Sequence, residues 1–418
     1  MNVLVALNYQ REIPPFMLTE LRCAAQQFDK VYYVTREFEY DNSGLLEEKN
    51  ICIVQMKRRH RIRTLLELPY LLFRSEIIFE FVQGIKTGTL PKQYLRHVGK
   101  ELYCTQNLYH AAMPVLATHR KSDSICVQAT WFDVCAYAAT KLKKKMPEIK
   151  VVSLAHAFEI NPARSNFVGY SCDHFKLKRL DAVYFIADEM RKIYINALPR
   201  WIHYSSDKLK IRYLGSQKKY APVVRDNTDA FTLCSCSGVN ALKRVDLIVE
   251  ALTLWKGRKI HWIHIGDGEL MDEIRQRAVK SLSEKDNVEY TFMGKLENRD
   301  VQKFYAEHNV DLFLNVSSSE GLPISIMEAM SYGIPVLATD VGATSEIVCY
   351  KDENMLLPKD ITPQVLCDRI ATVSRWTEEK HSRLSQSSLH IWETKFNADI
   401  AAKSYYKSLR EKNDQKRL

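Results

Sequence analysis

Residues 315–348 read NVSSSEGLPISIMEAMSYGIPVLATDVGATSEIV, and their order decides the fold. Just ahead of and into them, the apolar run from Asp311 to Val316 suits a buried strand of a parallel sheet. Ser317 to Gly321 then forms a turn of three serines, a glutamate and a glycine. Pro323 stands where a helix begins, because its fixed φ suits the first helical position and its missing N–H would be unpaired there anyway. Ile324 to Tyr332 carries the helix, Gly333 ends it, Pro335 blocks its continuation, and Val336 to Thr339 is the next strand. Strand, glycine-bearing turn and helix in this order aim backbone N–H groups and the positive end of a helix dipole at one place, a site for a phosphate above Leu322 and Pro323. Glu328 lies about 7.5 Å further along the axis, a reach that takes a diphosphate to a ribose. A carboxylate there accepts hydrogen bonds from two sugar hydroxyls, while Glu320 faces whatever hangs from the other end of the diphosphate. The residue types alone leave a second reading open, in which Glu320 caps the helix and Glu328 is a solvated helix residue.

The run Glu320-Gly-Leu-Pro-Ile-Ser-Ile-Met-Glu328 resembles the E-x7-E motif of retaining glycosyltransferase family 4, of the bacterial polysaccharide-biosynthesis type. Ala329-Met330-Ser-Tyr-Gly333-Ile-Pro335-Val336 and Asp340-Val-Gly342-Ala-Thr-Ser-Glu346-Ile-Val resemble the family's next two blocks. One departure is Ala343, where the family usually has a second glycine.

With 418 residues the chain is too long for one ordinary core, and two domains of roughly 200 residues are expected. Its apolar, charged and aromatic fractions are those of a globular protein. No apolar run reaches the roughly 18 residues that span a bilayer. Met1-Asn-Val-Leu-Val-Ala-Leu reads as a first strand rather than a signal peptide. The ten cysteines lack paired spacing, which suits reduced thiols in a cytosol. Cys234-Ser-Cys236 has no second pair to complete a metal site. A net charge of +10 points to an anionic surface or ligand, and no recognised nucleic-acid module accompanies it.

Residues 1–215 alternate short apolar runs with helical stretches, as in a parallel sheet wrapped by helices. The expected strands are Val3 to Leu7, Val31 to Thr35, Ile51 to Gln55, Ile125 to Gln128, Val151 to Ala155, Ala182 to Ile186 and Ile211 to Leu214. The loop Asn8 to Pro15 carries Arg11-Glu-Ile-Pro14-Pro15 where relatives often have paired glycines. Met56 to Val82 crowds Lys57, Arg58, Arg59, Arg61 and Arg63 beside an apolar, aromatic-rich stretch. That pattern suits an anionic leaflet, and equally a solvated basic turn before a buried helix; Lys141, Lys143, Lys144 and Lys145 extend the same surface on the first reading. His156, at the end of the fifth strand in Ser153-Leu-Ala-His156-Ala-Phe-Glu159, is where ligands of open α/β sheets bind. It is similar to the family's H-x-x-D element with Glu159 replacing aspartate, so the resemblance implies a catalytic His156 facing sugar or acceptor; a structural histidine is the alternative.

Residues 216–229 form a polar linker, and 230–385 a second domain that opens on the strand Phe231 to Cys236. Lys243 and Arg244 stand at the start of the next helix, an unfavourable place for cations beside the dipole unless a diphosphate binds there or water solvates them. Gly238 takes the position of the family's arginine. Gly266-Asp-Gly268 is similar to the family's G-x-G turn beside the nucleotide, and Gly294-Lys295-Leu296 to the loop that brackets the base. Residues 386–418 read as a C-terminal helix with a basic tail packing back toward the first domain, as in relatives.

Together these readings predict an α/β protein of the GT-B class, two facing Rossmann-like domains with an interdomain cleft and a C-terminal crossing helix; residues 1–215 would bind acceptor and 230–385 the nucleotide sugar. The resemblance implies a hexosyltransferase moving a sugar, with retention, from a nucleotide diphosphate sugar to a glycan or lipid-linked oligosaccharide in surface polysaccharide biosynthesis. It implies catalytic roles for His156, Lys243 and Glu320. Donor binding would fall to Gly238, Arg244, Gly266, Gly268, Gly294, Lys295, Leu296, Gly321, Leu322, Pro323, Ile324 and Glu328. No metal or other cofactor is expected, because fixed cations do a metal's work, and no nucleic-acid partner. The expected location is the cytoplasm, at the inner face of the plasma membrane if 56–82 docks there. A nucleotide-sugar epimerase and a non-catalytic nucleotide-sugar-binding protein of the same fold are the alternatives.

Overall fold

In the computed structural model, which describes residues 1–10, 15–36, 48–56, 75–88, 94–162, 172–222 and 229–414, the chain divides into two compact units. Unit 1 is Met1–Tyr213 with Asp399–Leu418, and unit 2 is Leu214–Ala398. The apolar runs form strands because helices cover both faces of each sheet, which leaves no solvated face to demand alternation. In unit 1 these strands are β1 (Asn2–Leu7), β2 (Lys30–Thr35), β3 (Ile51–Gln55), β4 (Ser124–Ala129), β5 (Lys150–Ala155), β6 (Ala182–Phe185) and β7 (Leu209–Ile211). They lie in the order β3-β2-β1-β4-β5-β6-β7, with every pair parallel.

Unit 2 repeats the plan with β8 (Phe231–Cys236), β9 (Ile260–Ile265), β10 (Val288–Gly294), β11 (Leu312–Asn315), β12 (Val336–Thr339) and β13 (Leu356–Leu357). Their order is β10-β9-β8-β11-β12-β13, again all parallel. In both sheets the strand order reverses beside the first strand, between β1 and β4 and between β8 and β11. Loops leaving the carboxyl ends of such a pair diverge to opposite sides and open a crevice where ligands of this architecture bind.

The last helix, Ala398–Asp414, belongs from Asp399 on to unit 1, where Ala402, Tyr405, Tyr406 and Leu409 are buried with Leu4, Val31 and Tyr33. A buried ion pair fixes it. Arg212 Nη2 lies 2.6 Å from both Glu20 carboxylate oxygens, and the guanidinium stacks 4.1 Å over the Tyr405 ring. Tyr405 donates to Gln128, which in turn donates to Tyr406.

Three expectations need adjustment. Residues 386–398 pack with unit 2 rather than the first domain, because Trp392 and Phe396 of a π-helical turn are buried there and Trp392 Nε1 donates to Ser216 Oγ at 2.9 Å. The seventh strand ends at Ile211, since the buried Arg212 must turn to Glu20. Lys143 pairs with Asp181 at 3.1 Å and Lys141 donates to Gln106, so those two lysines are tied to their own surface. Residues 11–14 and 57–74, which carry most of the loop after β1 and the basic stretch, lie outside the described residues.

Removing one partner of a buried ion pair strands the other charge. Arg212→Ala is expected to cost unit 1 about 3–5 kcal/mol, read as a lowered urea midpoint of the full chain; a loss below about 1 kcal/mol contradicts this role.

Candidate functional site

The loops at the carboxyl ends of the unit 2 strands are joined backbone to backbone. Gly266 N–H, after β9, donates to Gly294 of β10 at 2.9 Å, and Val239 N–H, after β8, donates to Asp267 at 3.0 Å. Ser318 N–H, after β11, donates to Leu242 at 2.8 Å, and Ala343 N–H, after β12, donates to Gly321 at 3.0 Å. Five loops thereby form one lattice around the β8/β11 switch point, and main-chain hydrogen bonds hold it without regard to most side chains.

Two side chains of opposite charge meet on that lattice. Lys243 Nζ, from the loop after β8, lies 2.6 Å from Glu320 Oε1, from the loop after β11. Asn315 Nδ2 supports the same oxygen at 3.3 Å. Glu320 is only 8% exposed and Lys243 25%, so the carboxylate is held mainly by these two donors while the ammonium retains a face toward solvent. Next to them Pro323 caps the helix Ile324–Ser331, whose first-turn N–H groups have no partner within the helix. Lys243, Glu320, Gly321, Leu322, Pro323 and Ile324 are thus brought together, as their motifs suggest.

Arg244 behaves differently. It adopts a left-handed backbone, φ +49°, and its guanidinium donates to the carbonyls of Val316 at 2.7 Å, Lys359 at 2.9 Å and Ser317 at 3.4 Å. It clamps the β11 loop to its neighbours. Gly238 sits in the loop after β8 with its nearest prospective Cβ contact, the Asp267 carbonyl, at 3.8 Å.

At two glycines of the site, close approach and a positive φ together exclude a side chain. A Cβ on Gly266, at φ +144°, would meet the Ser237 carbonyl at 1.8 Å. A Cβ on Gly342, at φ +57°, would meet the Glu320 carbonyl at 2.0 Å. The Asp340-Val-Gly342-Ala343 turn therefore buttresses the Glu320–Gly321 backbone from behind. Ala343, where a second glycine is usual, has an ordinary φ of −92° and is buried, so its methyl group is accommodated.

Glu328 turns away from the ion pair toward the helix Asn298–Glu307, where Asn298 Nδ2 donates to its Oε1 at 2.5 Å. Burial pushes this carboxyl above the usual range, and hydrogen bonds from Asn298 and Gln302 pull it back. The Cys236 thiol beside it is pushed up to about 12 by burial and stays protonated. Gly294, Lys295 and Leu296 lead directly into the same helix, so the loop after β10 lies on the Glu328 side of the site. His264, two residues before Gly266, is driven down to about 4 by burial and adds no charge.

His156 belongs to unit 1, at the carboxyl end of β5. Glu159 Oε1 accepts from the backbone N–H groups of His156 at 2.9 Å and Phe132 at 3.0 Å and lies 3.4 Å from His156 Nδ1. The ring packs 4.3 Å from Trp131, between centroids, and its buried Nε2 has no hydrogen-bond partner among the described residues. Trp131 Nε1 donates to Asn8 Oδ1 at 2.9 Å, so residues following β1, β4 and β5 converge here. Trp131, Asn8, Asn298, Gln302 and Asn315 were not expected as site residues. For Asn8 and Trp131 the signal was available: Asn8 directly follows β1 and Trp131 lies two residues after β4, the strands of the switch point.

Gly342→Ala is expected to lower the stability of unit 2 by about 1–2 kcal/mol from backbone conformation alone, with more from displacement of the Glu320 turn. A thermal midpoint unchanged from wild type contradicts the buttress.

Residues 230–375 match the family model described as glycosyl transferases group 1. The O-antigen biosynthesis glycosyltransferase WbnH of Escherichia coli is 34% identical over 106 residues, 25% of this chain and 28% of that relative. The O-antigen biosynthesis glycosyltransferase WclY, also of Escherichia coli, is 28% identical over 179 residues, 42% of this chain and 46% of that one. The chain thus spans between about a quarter and a half of these curated relatives. Among solved structures, Anabaena Alr3699/HepE in complex with UDP aligns over 98% of this chain and 100% of its own, at 14% identity and a TM-score of 0.65. The apo lipopolysaccharide outer core galactosyltransferase WaaB aligns over 100% of both chains, at 16% identity and a TM-score of 0.61. At such identities the structural likeness shows a shared fold, two parallel-sheet Rossmann-like domains of the GT-B class. By this match residues 230–375 form a domain similar to the glycosyl transferases of group 1, within a chain of GT-B fold.

Proposed function

We propose that this chain is a retaining glycosyltransferase that moves a sugar from a nucleotide diphosphate sugar to a glycan or lipid-linked oligosaccharide acceptor in surface polysaccharide biosynthesis. The carrying observation is the 2.6 Å pairing of Lys243 with Glu320 at the β8/β11 switch point, beside the first turn of the helix Ile324–Ser331. The family match and the O-antigen relatives support it. When the bond from the anomeric carbon to the diphosphate breaks, negative charge grows on the leaving oxygens. Lys243 and the N–H groups of Gly321, Leu322 and Ile324 are fixed donors for that charge and need no reorganisation as it develops. Pro323 has no N–H to offer.

In this reading Lys243 exchanges its contact with Glu320 for the diphosphate, and the freed carboxylate positions the donor sugar. The acceptor hydroxyl attacks on the face the diphosphate leaves, and its proton passes to the departing phosphate. Glu328 holds the ribose, Gly238, Gly266 and Gly268 line the approach of the diphosphate, and Gly294, Lys295 and Leu296 bracket the base. Arg244 keeps the β11 loop in place. Transfer proceeds without a metal, since the lysine and the amides supply the positive potential. His156 serves sugar or acceptor from unit 1.

The protein is further proposed to act in the cytoplasm, on the inner face of the membrane. Among the described residues no helix is long and apolar enough to cross a bilayer. The helix Ser75–Thr87 exposes Ile78, Phe79, Val82 and Ile85 at 45%, 41%, 38% and 58%, a spacing that puts them on one face. It follows the lysine and four arginines of 57–63 in sequence. Apolar insertion beside basic charge suits an anionic leaflet.

Incubation with UDP-, GDP- and ADP-sugars and extracted acceptors is expected to give a new glycosidic product with retained anomeric configuration, and Lys243→Ala to cut turnover by about 10²-fold. An epimerised nucleotide sugar without glycosidic product, or a fully active Lys243→Ala variant, contradicts the mechanism. The full chain is expected to co-sediment with anionic vesicles and dissociate as salt rises, with Ile78→Ser/Ile85→Ser binding roughly tenfold more weakly; absence of sedimentation contradicts membrane docking.

A further inference from the structure

Around Glu328 the structure builds a polar cluster that no motif of the sequence announces. Two amide side chains of the helix Asn298–Glu307 reach its carboxylate. Asn298 Nδ2 donates at 2.5 Å, and Gln302 supplies a second side-chain hydrogen bond. The outer ends of both amides are also occupied. Asn298 Oδ1 accepts from Lys219 Nζ at 3.1 Å. Gln302 Oε1 accepts from the Tyr332 hydroxyl at 2.9 Å and from the Lys219 backbone N–H at 3.4 Å.

These outer partners decide which way each amide points. An ammonium and a backbone N–H can only donate, so the amide atom facing them must be the oxygen. The NH2 ends are thereby turned inward, onto Glu328. We infer that Asn298 and Gln302 are positioning residues for the ribose-binding carboxylate, aimed at Glu328 by Lys219 from the segment that opens unit 2 and by Tyr332 from the end of the Glu328 helix.

On the donor reading above, Glu328 accepts from two vicinal ribose hydroxyls. To do so it must be ionised and fixed in rotation. A carboxylate has about four lone-pair directions, so two amide donors leave about two for the diol. The other titratable groups facing it are Lys219, the Cys236 thiol of β8, the Tyr305 hydroxyl of the Asn298–Glu307 helix and the Tyr332 hydroxyl. Burial raises Cys236, Tyr305 and Tyr332, so none adds a negative charge near neutrality. Burial also favours the neutral form of Glu328, and the two amides oppose it. The sign follows: with an amide lost, the carboxyl protonates at higher pH, and ribose binding falls as pH is lowered.

The test compares UDP, GDP and ADP with their 2′-deoxy counterparts by calorimetry on the full chain. The wild type is expected to bind one of the ribonucleotides about tenfold more tightly than its 2′-deoxy form across about pH 6–8, the range of one hydrogen bond to a charged group. Asn298→Ala is expected to lower that ratio, and to lower it further as the pH falls. Asn298→Asp keeps shape and suits the first turn of a helix, yet sets two carboxylates against each other, which share a proton only at low pH. Its ratio is therefore expected to run the opposite way, larger near pH 6 than near pH 8. A merely structural asparagine would give no such reversal. If the wild type discriminates and both variants keep its ratio at every pH, the positioning role is overturned while the donor reading stands. If the wild type binds none of the three, or does not discriminate, the ribose assignment of Glu328 fails and this role with it.

Discussion

A lysine and a glutamate 2.6 Å apart, Lys243 and Glu320, join the two loops that diverge from the β8/β11 switch point, and the chemistry proposed for unit 2 depends on that contact. A carboxylate this buried needs hydrogen-bond donors in place of water. Lys243 is one donor and Asn315 the other. A bound diphosphate competes for the same ammonium with more charge than a single carboxylate carries. On the proposed function the pair stores a cation at the site without leaving it unpaired before substrate arrives, and Glu320 is released toward the sugar when the exchange occurs.

The surrounding structure keeps these two groups in register. Main-chain bonds run from the β10 loop through the β9 and β8 loops to the β11 and β12 loops, and Gly266 and Gly342 permit approaches of carbonyl oxygens that any side chain would block. Arg244 adds three side-chain bonds to carbonyls of the same region. Positioning by backbone is suited to a site that must offer preformed N–H donors, because the donors are themselves part of the lattice that fixes them. The Asn298, Gln302, Lys219 and Tyr332 cluster does for Glu328 what Asn315 does for Glu320, supplying donors that orient a buried carboxylate.

Much of this was legible in the sequence where the reason was local. The strands Ile51–Gln55, Phe231–Cys236 and Val336–Thr339 have the expected bounds, since uninterrupted apolar runs between turn residues leave little choice. The helix after Pro323 and its end at Gly333, φ +73°, follow from capping chemistry. What was not legible depends on distant contacts. Arg244 reads as a ligand cation beside a helix start, and only the approach of Val316, Ser317 and Lys359 shows it clamping carbonyls. Asn298 and Gln302 lie 30 and 26 residues before Glu328 in a helix whose polar face looks ordinary. The last helix was expected to begin its return at 386, but Trp392 and Phe396 bury themselves in unit 2 first, and the aromatic pair that docks the return is Tyr405 and Tyr406.

The most direct measurement is a crystal structure of the full chain with an intact nucleotide diphosphate sugar. Diphosphate oxygens are expected within about 3 Å of Lys243 Nζ and of the Gly321, Leu322 or Ile324 amides, with Lys243 withdrawn from Glu320 and the ribose on Glu328. A nucleotide bound elsewhere, with the Lys243–Glu320 contact intact, would contradict this arrangement.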